Sequence, residues 1–329
     1  MQEMPVDWTD DPTAFVGRDW TSLAESDPEG TIFHTPGYLK PYWEEFGSAA
    51  LRLAFVLDGD EAVAVAAFDV SEGTVSFLGG SEITDYMGPV GFPQTRERAA
   101  KELMASLATR DDWETGDLRG LLETSGWHRA LQQGAHEADL EVEAVPDGTA
   151  PLIGLPSSFD AYLSSLPGRM RHEVRRKRRR IGEALPSAHL VDATETTLAG
   201  DFDRFVELHR STSGSKGKFM YPGMELFFRR LGQELLPRRA FRLVFLEADG
   251  AKIAGAVGFP DRGRFLLYNS AYDHAHSALS PGMALLTMLV EDLIGMGSEG
   301  LDLLKGDEEY KRRMGARPRR LVRLLLHRR

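Results

Sequence analysis

Two stretches of the chain alternate apolar, β-prone residues around a tight turn. In the first, Arg52-Leu-Ala-Phe-Val-Leu57 runs through Asp58-Gly59 into Ala62–Phe68. In the second, Arg242-Leu-Val-Phe-Leu-Glu247 runs through Asp249-Gly250 into Lys252–Phe259. Asp-Gly between such runs predicts a hairpin, because glycine adopts positive φ without strain. The Arg-Leu starts lie 190 residues apart and the Asp-Gly turns 191. A third strand-like run follows each hairpin, Thr74 to Leu78 and Arg264 to Tyr268. The matching order implies an internal duplication of about 165–190 residues.

Helical spacing predicts helices at Tyr38 to Phe46, Thr95 to Thr109, Ser157 to Leu166 and Gly200 to Thr212. Ser280-Pro281-Gly282 opens another over Met283 to Met296, with Ser280 as cap and Pro281 in the first turn. Leu301 to Leu304 reads as a buried strand. The Pro/Gly-rich Ala144–Pro156 segment is the expected boundary between a domain at 1–155 and a second at 156–329. Alternating strands and helices with a duplication imply a mixed α/β (α+β) architecture of two similar domains.

Charge divides the chain in the same place. Residues 1–155 carry 29 acids and 9 bases, a net of −20; residues 156–329 carry 21 and 30, a net of +9. A polyanion would bind the basic half, unless the two halves simply complement one another. Eight Lys/Arg crowd into Arg169–Arg180, above an apolar seam of Met170, Val174 and Ile181. That face fits tRNA, a nucleotide sugar or the 3′-phosphate of coenzyme A, or else a solvated helix. Few aromatics interrupt it, which argues against stacking on single-stranded bases. With no cysteine, disulfides, zinc–thiolate sites and cysteine nucleophiles are excluded. The acidic start lacks a signal-peptide pattern and apolar runs are too short to span a bilayer, so a cytoplasmic protein without membrane attachment is expected. Histidine spacing predicts no metal site.

Two stretches carry chemistry. A helix start at Ser280-Pro281-Gly282-Met283 presents backbone N–H groups where phosphate binds readily, although an ordinary capped helix has the same pattern. Gly300–Lys311 delivers Asp302, Lys305, Tyr310 and Lys311 to one sheet edge, a proton acceptor, cationic charge and a weak acid, although a solvated loop after a strand has the same pattern. Gly214–Lys218 lacks the glycine spacing of a P-loop and reads as a loop over the acceptor.

The order Ser-Pro-Gly-helix, then Gly300-x-Asp302-x-x-x-Gly306-x-x-x-Tyr310-Lys311-x-x-x-Gly315, resembles the CelD/BcsL-like acetyltransferases of the GNAT superfamily. Phe159–Arg180, Phe205-Val-Glu-Leu-His209 and Tyr268-x-x-x-Tyr-Asp273 add to the resemblance, which runs over residues 156–316. It implies tandem GNAT folds, each a twisted mixed sheet flanked by helices, with Fem-transferase-like architecture, the catalytic copy second and a degenerate, acceptor-side copy first. It implies acetyl-CoA or another acyl-CoA as donor, without metal, on Ser280, Pro281, Gly282, Met283 and Lys305. An N- or O-acyltransferase acting on a small-molecule or saccharide acceptor follows. The expected catalytic set is Asp273 or Asp302 orienting the nucleophile, Tyr310 protonating the thiolate and Lys311 neutralising charge. A backbone N–H within Tyr268–Ala271 is the expected oxyanion donor. Acceptor contacts fall to Asp85, Tyr86, Tyr268 and His209. The turn has one glycine where the usual GNAT pattern Q/R-x-x-G-x-G/A has two, which leaves the donor open. Aminoacyl transfer from tRNA docked on Arg169–Arg180, and a non-catalytic scaffold, are the alternatives.

Overall fold

The computed structural model describes residues 4–17, 19–47, 50–211 and 218–329. Residues 214–217 of the loop expected over the acceptor lie outside the described residues. The chain forms two compact units, Met1–Thr149 with Arg319–Arg329, and Ala150–Pro318.

In the first unit the strands run β1 (Val6–Thr9), β2 (Ala50–Asp58), β3 (Glu61–Ser71), β4 (Thr74–Phe77), β5 (Val90–Gly91), β6 (Thr115–Leu122) and β7 (Leu140–Thr149). β1 to β4 are antiparallel neighbours; the Arg96–Ala108 helix then crosses over to β6, which lies parallel to β4. Its core gathers Phe68, Leu103, Trp113, Leu118, Trp127 and Leu131.

The second unit holds β8 (Leu152–Gly154), β9 (His189–Asp192), β10 (Arg242–Ala248), β11 (Ala251–Asp261), β12 (Arg264–Tyr272) and β13 (Gly300–Asp302), in the spatial order β8-β13-β12-β11-β10-β9. The Pro281–Gly295 helix crosses from β12 to the parallel β13. It packs through Leu285, Leu289 and Val290 onto Val244, Ala254 and Phe265. Leu198–Arg210 buries Phe202, Phe205 and Val206 at helical spacing.

The duplication is visible in the ladders themselves. Each hairpin has a bulge at the same place, Val56/Leu57 and Leu246/Glu247, 190 residues apart. Each closes on a two-residue loop 190 residues apart, flanked by Asp58↔Glu61 and Ala248↔Ala251. The one-residue slip between the Asp-Gly pairs is absorbed by turn type. Asp249 and Gly250 both take positive φ, whereas in the first loop only Gly59 does. Each parallel ladder starts in step, Thr74↔Thr115 and Arg264↔Gly300, and lasts three pairs.

The Ala144–Pro156 segment holds the division between the units, at Thr149/Ala150, but in strands: β7 runs through Pro146-Asp147-Gly148, and β8 follows after two residues. One expectation needs correction: the second unit does not extend to residue 329. The chain ends in β14 (Arg320–Arg328), which inserts between β6 and β7 of the first sheet. Its Leu321, Leu324 and Leu326 are fully buried there, so apolar burial holds the last segment in the first unit.

Candidate functional site

After its third pair, Leu266↔Asp302, the β12–β13 ladder ends, while β12 continues six residues to Tyr272. The two parallel strands therefore part, and β12 runs on beyond Leu266 without β13 beside it. A bulge falls at the fork: Val257 pairs with Asn269 and Gly258 with Leu267, so Tyr268 is the extra residue. Such a bulge bends the strand and re-aims its peptides.

A cavity of about 200 Å³ opens beside this fork, between β12 and the Pro281–Gly295 helix. Leu267, Ser270 and Tyr272 line it from β12, Ala256 from β11, and Gly282, Met283, Leu285 and Leu289 from the helix. From Gly282 to Leu289 is two helical turns, so the cavity runs roughly 10 Å inward from the helix start. Small residues make the room, with Ala256 paired to Ser270 across the ladder. At the mouth the Tyr272 ring lies against Gly282, where a Cβ would come within 3.1 Å of it.

Tyr310 closes the lining from the short Glu309–Arg313 helix. Burial, reinforced by the Glu308 carboxylate, pushes its phenol up to about 12, so it remains a proton donor at neutral pH. The loop carrying it is tied from below. Lys311 is buried, and its ammonium donates to the carbonyls of Leu304 (3.3 Å) and Lys305 (3.0 Å) and pairs with Glu308 (3.0 Å). Three donors meet three acceptors. Asp302, also buried, accepts from the Leu304 amide at 3.0 Å, which holds Leu304 at a φ of 56°. Gly306, at a φ of 131°, lets the ammonium pass; a Cβ there would stand 2.8 Å from Lys311 Nζ.

The structure thus brings Gly282, Met283 and Tyr310 of the expected set to one cavity, and places the others elsewhere. Lys311 and Asp302 are spent on the loop, and Lys305 gives it a carbonyl. Asp273 caps the His274–Leu279 turn through the Ala275 amide (2.9 Å); that bond, with His276 and Arg204 nearby, holds its carboxyl below the usual range and weakens it as a base. Ser280 precedes the helix in a left-handed conformation, and its hydroxyl does not cap as the sequence pattern leads one to expect. Pro281 is buried in the first turn. Tyr268 packs among Phe219, Phe228 and Phe259, and His209 against Phe205 and Phe219, in a ring cluster that does not line the cavity. Within Tyr268–Ala271, the Ser270 amide is already taken by the Asn269 side chain (2.8 Å).

In the first unit the equivalent fork is filled. β4 stops at Phe77, and β5 restores the third strand, Gly91 pairing with Ala64 where Tyr272 pairs with Ala254. The intervening chain turns inward. The Met87 amide bonds the Gly120 carbonyl of β6, and Met87 and Tyr86 are buried. The Tyr86 hydroxyl accepts from Arg319 of the same unit, and Asp85 beside it is half-buried.

Sequence reasoning missed Ala256, Leu267, Ser270, Tyr272 and Leu289. The Ala254-Gly255-Ala256 run of small residues opposite an apolar helix face was the available signal. Among the described residues no group of three or more acidic or histidine side chains could hold a metal, and no helix is long and apolar enough to cross a membrane.

Residues 168–312 match the sequence profile of the acetyltransferase (GNAT) domain. The match is to that domain at large and does not single out the CelD/BcsL-like type. A search of the curated proteins finds no match. Among solved structures, a conserved protein of unknown function from Bacteroides thetaiotaomicron aligns with a TM-score of 0.67 at 12% identity, covering 98% of this chain and 100% of its own. FemX aligns at 0.66 and 11%, covering 92% and 94%. L-PGS from Bacillus licheniformis aligns at 0.60 and 12%, covering 100% and 93%. At these identities the likeness shows the fold, a mixed α/β architecture of GNAT-like type with two sheets flanked by helices.

Proposed function

We propose that the second unit is an acyltransferase that takes an acyl group, acetyl in the simplest case, from a pantetheine thioester such as acyl-CoA. The acceptor is an amine or hydroxyl of a polar small molecule or saccharide. The observation that carries this reading is the parted β12–β13 ladder with a slim apolar cavity leading to it from a helix start. The pantetheine arm lies in the cavity and its amides run along the part of β12 that β13 leaves, as an added strand would. Its phosphate sits at the Gly282–Met283 turn.

The nucleophile attacks the thioester carbonyl at the fork. A backbone N–H of the Tyr268–Ala271 stretch other than Ser270 stabilises the oxyanion. The carbon–sulfur bond breaks, and Tyr310 gives its proton to the departing thiolate. No carboxylate or imidazole lines the cavity among the described residues, so the nucleophile's proton leaves through water. Positioning then supplies much of the rate.

The test is a thermal-shift and turnover screen of the full chain with coenzyme A, acetyl-CoA and longer acyl-CoAs against an amine panel, reading free thiol. Stabilisation by coenzyme A and acceptor-dependent thiol release are expected; neither with any thioester removes the reading. The exposed Arg169–Arg180 face favours a second reading, aminoacyl transfer from charged tRNA, which salt-dependent tRNA binding would reveal.

A further inference from the structure

The Gly168–Ala184 helix uses part of its charge within its own unit. Arg178 pairs with Glu291 and covers the Phe159 ring; Lys177 and Arg313 both pair with Glu173; Arg179 pairs with Glu183 at 3.6 Å. Arg169, Arg175, Arg176 and Arg180 are exposed and have no ion pair among the described residues. The helix that carries them packs on elements that frame the cavity. The helix packs against the His274–Leu279 turn that leads into Ser280, and Glu173 ties it to the short helix that carries Tyr310.

The mouth itself offers little to a pyrophosphate. An ordinary helix start presents several free amides. Here Pro281 has none, and the Ser280 carbonyl already takes the amides of Met283 and Ala284, each at 3.1 Å. The Gly282 amide is the main one left, which suits one phosphate better than two. Nor does the cavity admit a nucleoside: a space of about 150 Å³ holds a benzene ring, and this one, at about 200 Å³, holds a slim chain.

We infer that the physiological donor is an acyl group carried on the phosphopantetheine arm of an acidic carrier protein, whose surface docks on Arg169, Arg175, Arg176 and Arg180. The inference rests on the thioester reading above and specifies its carrier. Opposite charge on this helix speeds encounter and aligns the arm with the cavity.

The test compares acetyl-CoA with an acetylated acyl carrier protein as donor, at low and high salt, using the full chain and its Arg169→Glu/Arg175→Glu/Arg176→Glu/Arg180→Glu variant. The expected result is a kcat/KM for the carrier at least about 10-fold above that for acetyl-CoA at low salt, a gap that closes in high salt and in the variant, while acetyl-CoA turnover stays within about 3-fold. Equal use of both donors, or parallel losses for both in the variant, overturns the carrier inference and leaves the thioester reading standing. Turnover with neither donor, or binding of aminoacylated tRNA alone, overturns both. If the quadruple variant misfolds, Arg175→Gln/Arg176→Gln and the salt series of the parent chain give the same discrimination.

Discussion

Tyr310 is 37% exposed at the cavity mouth, on a loop tied by a lysine that is 3% exposed. Replacing Tyr310 with Phe removes the proton donor and little volume, so kcat should fall about 100-fold with donor KM nearly unchanged. Steady-state kinetics decide it. The phenol ionises near 10 in the unfolded chain and at about 12 in the fold, so its stabilising contribution is complete below pH 10 and lost as pH rises towards 12. An alkaline loss of activity below pH 10 therefore belongs to another group. Lys311→Met should cost about 2 kcal/mol in denaturant unfolding, because it leaves the Leu304 and Lys305 carbonyls without their donor. Asp69 in β3 follows the same sign at lower pH. Burial raises its carboxyl to about 6, so its ionisation penalty is absent below pH 4 and complete above 6. Asp69→Asn should be neutral for stability near pH 4 and stabilising at pH 8, by up to about 3 kcal/mol. The sequence motif found Asp302, Tyr310 and Lys311 together, but burial separates a clamp from a proton donor, and burial depends on neighbours remote in sequence.

At the scale of elements, the Pro281–Gly295 helix and β12 make the cavity. Gly282→Leu should press on Tyr272 and block the mouth, raising donor KM at least about 10-fold with the fold retained. Circular dichroism and kinetics test it together. These two elements were legible because their signals are local: a strand-like run from Arg264 after the hairpin, and Pro-Gly at a helix start. β5, β7 and β14 were not. Val90–Gly91 is too short to show a pattern, and Pro146-Asp147-Gly148 reads as a turn even though β14 pairs with Pro146 and Gly148, with Asp147 bulged between them. The fork was hidden for the same reason, since no local signal says where a parallel ladder stops.

Across the whole molecule, the duplicated design serves two ends: the second unit keeps its fork open, while the first fills the equivalent space with Met87 and the chain around it. The −20 and +9 halves gave a fair account of two units, yet the last strand crosses that division because it is basic in composition and apolar in its packing. Removing residues 319–329 takes Leu321, Leu324 and Leu326 from the first core, each worth about 1.5–3 kcal/mol of burial, which approaches the stability of a typical domain. Hydrogen exchange on the truncated chain should show β2, β3 and β6 unprotected and β10 to β12 still protected.

The central claim is that the cavity beneath the 281–295 helix receives a pantetheine arm. Calorimetric titration with acetyl-4′-phosphopantetheine, a ligand common to coenzyme A and carrier proteins, tests it most directly when run on the parent chain and on Ala256→Phe, which fills the inner end. The account predicts saturable binding to the parent and at least about 10-fold weaker binding to the variant. Equal affinities, or no binding to the parent chain, would contradict it.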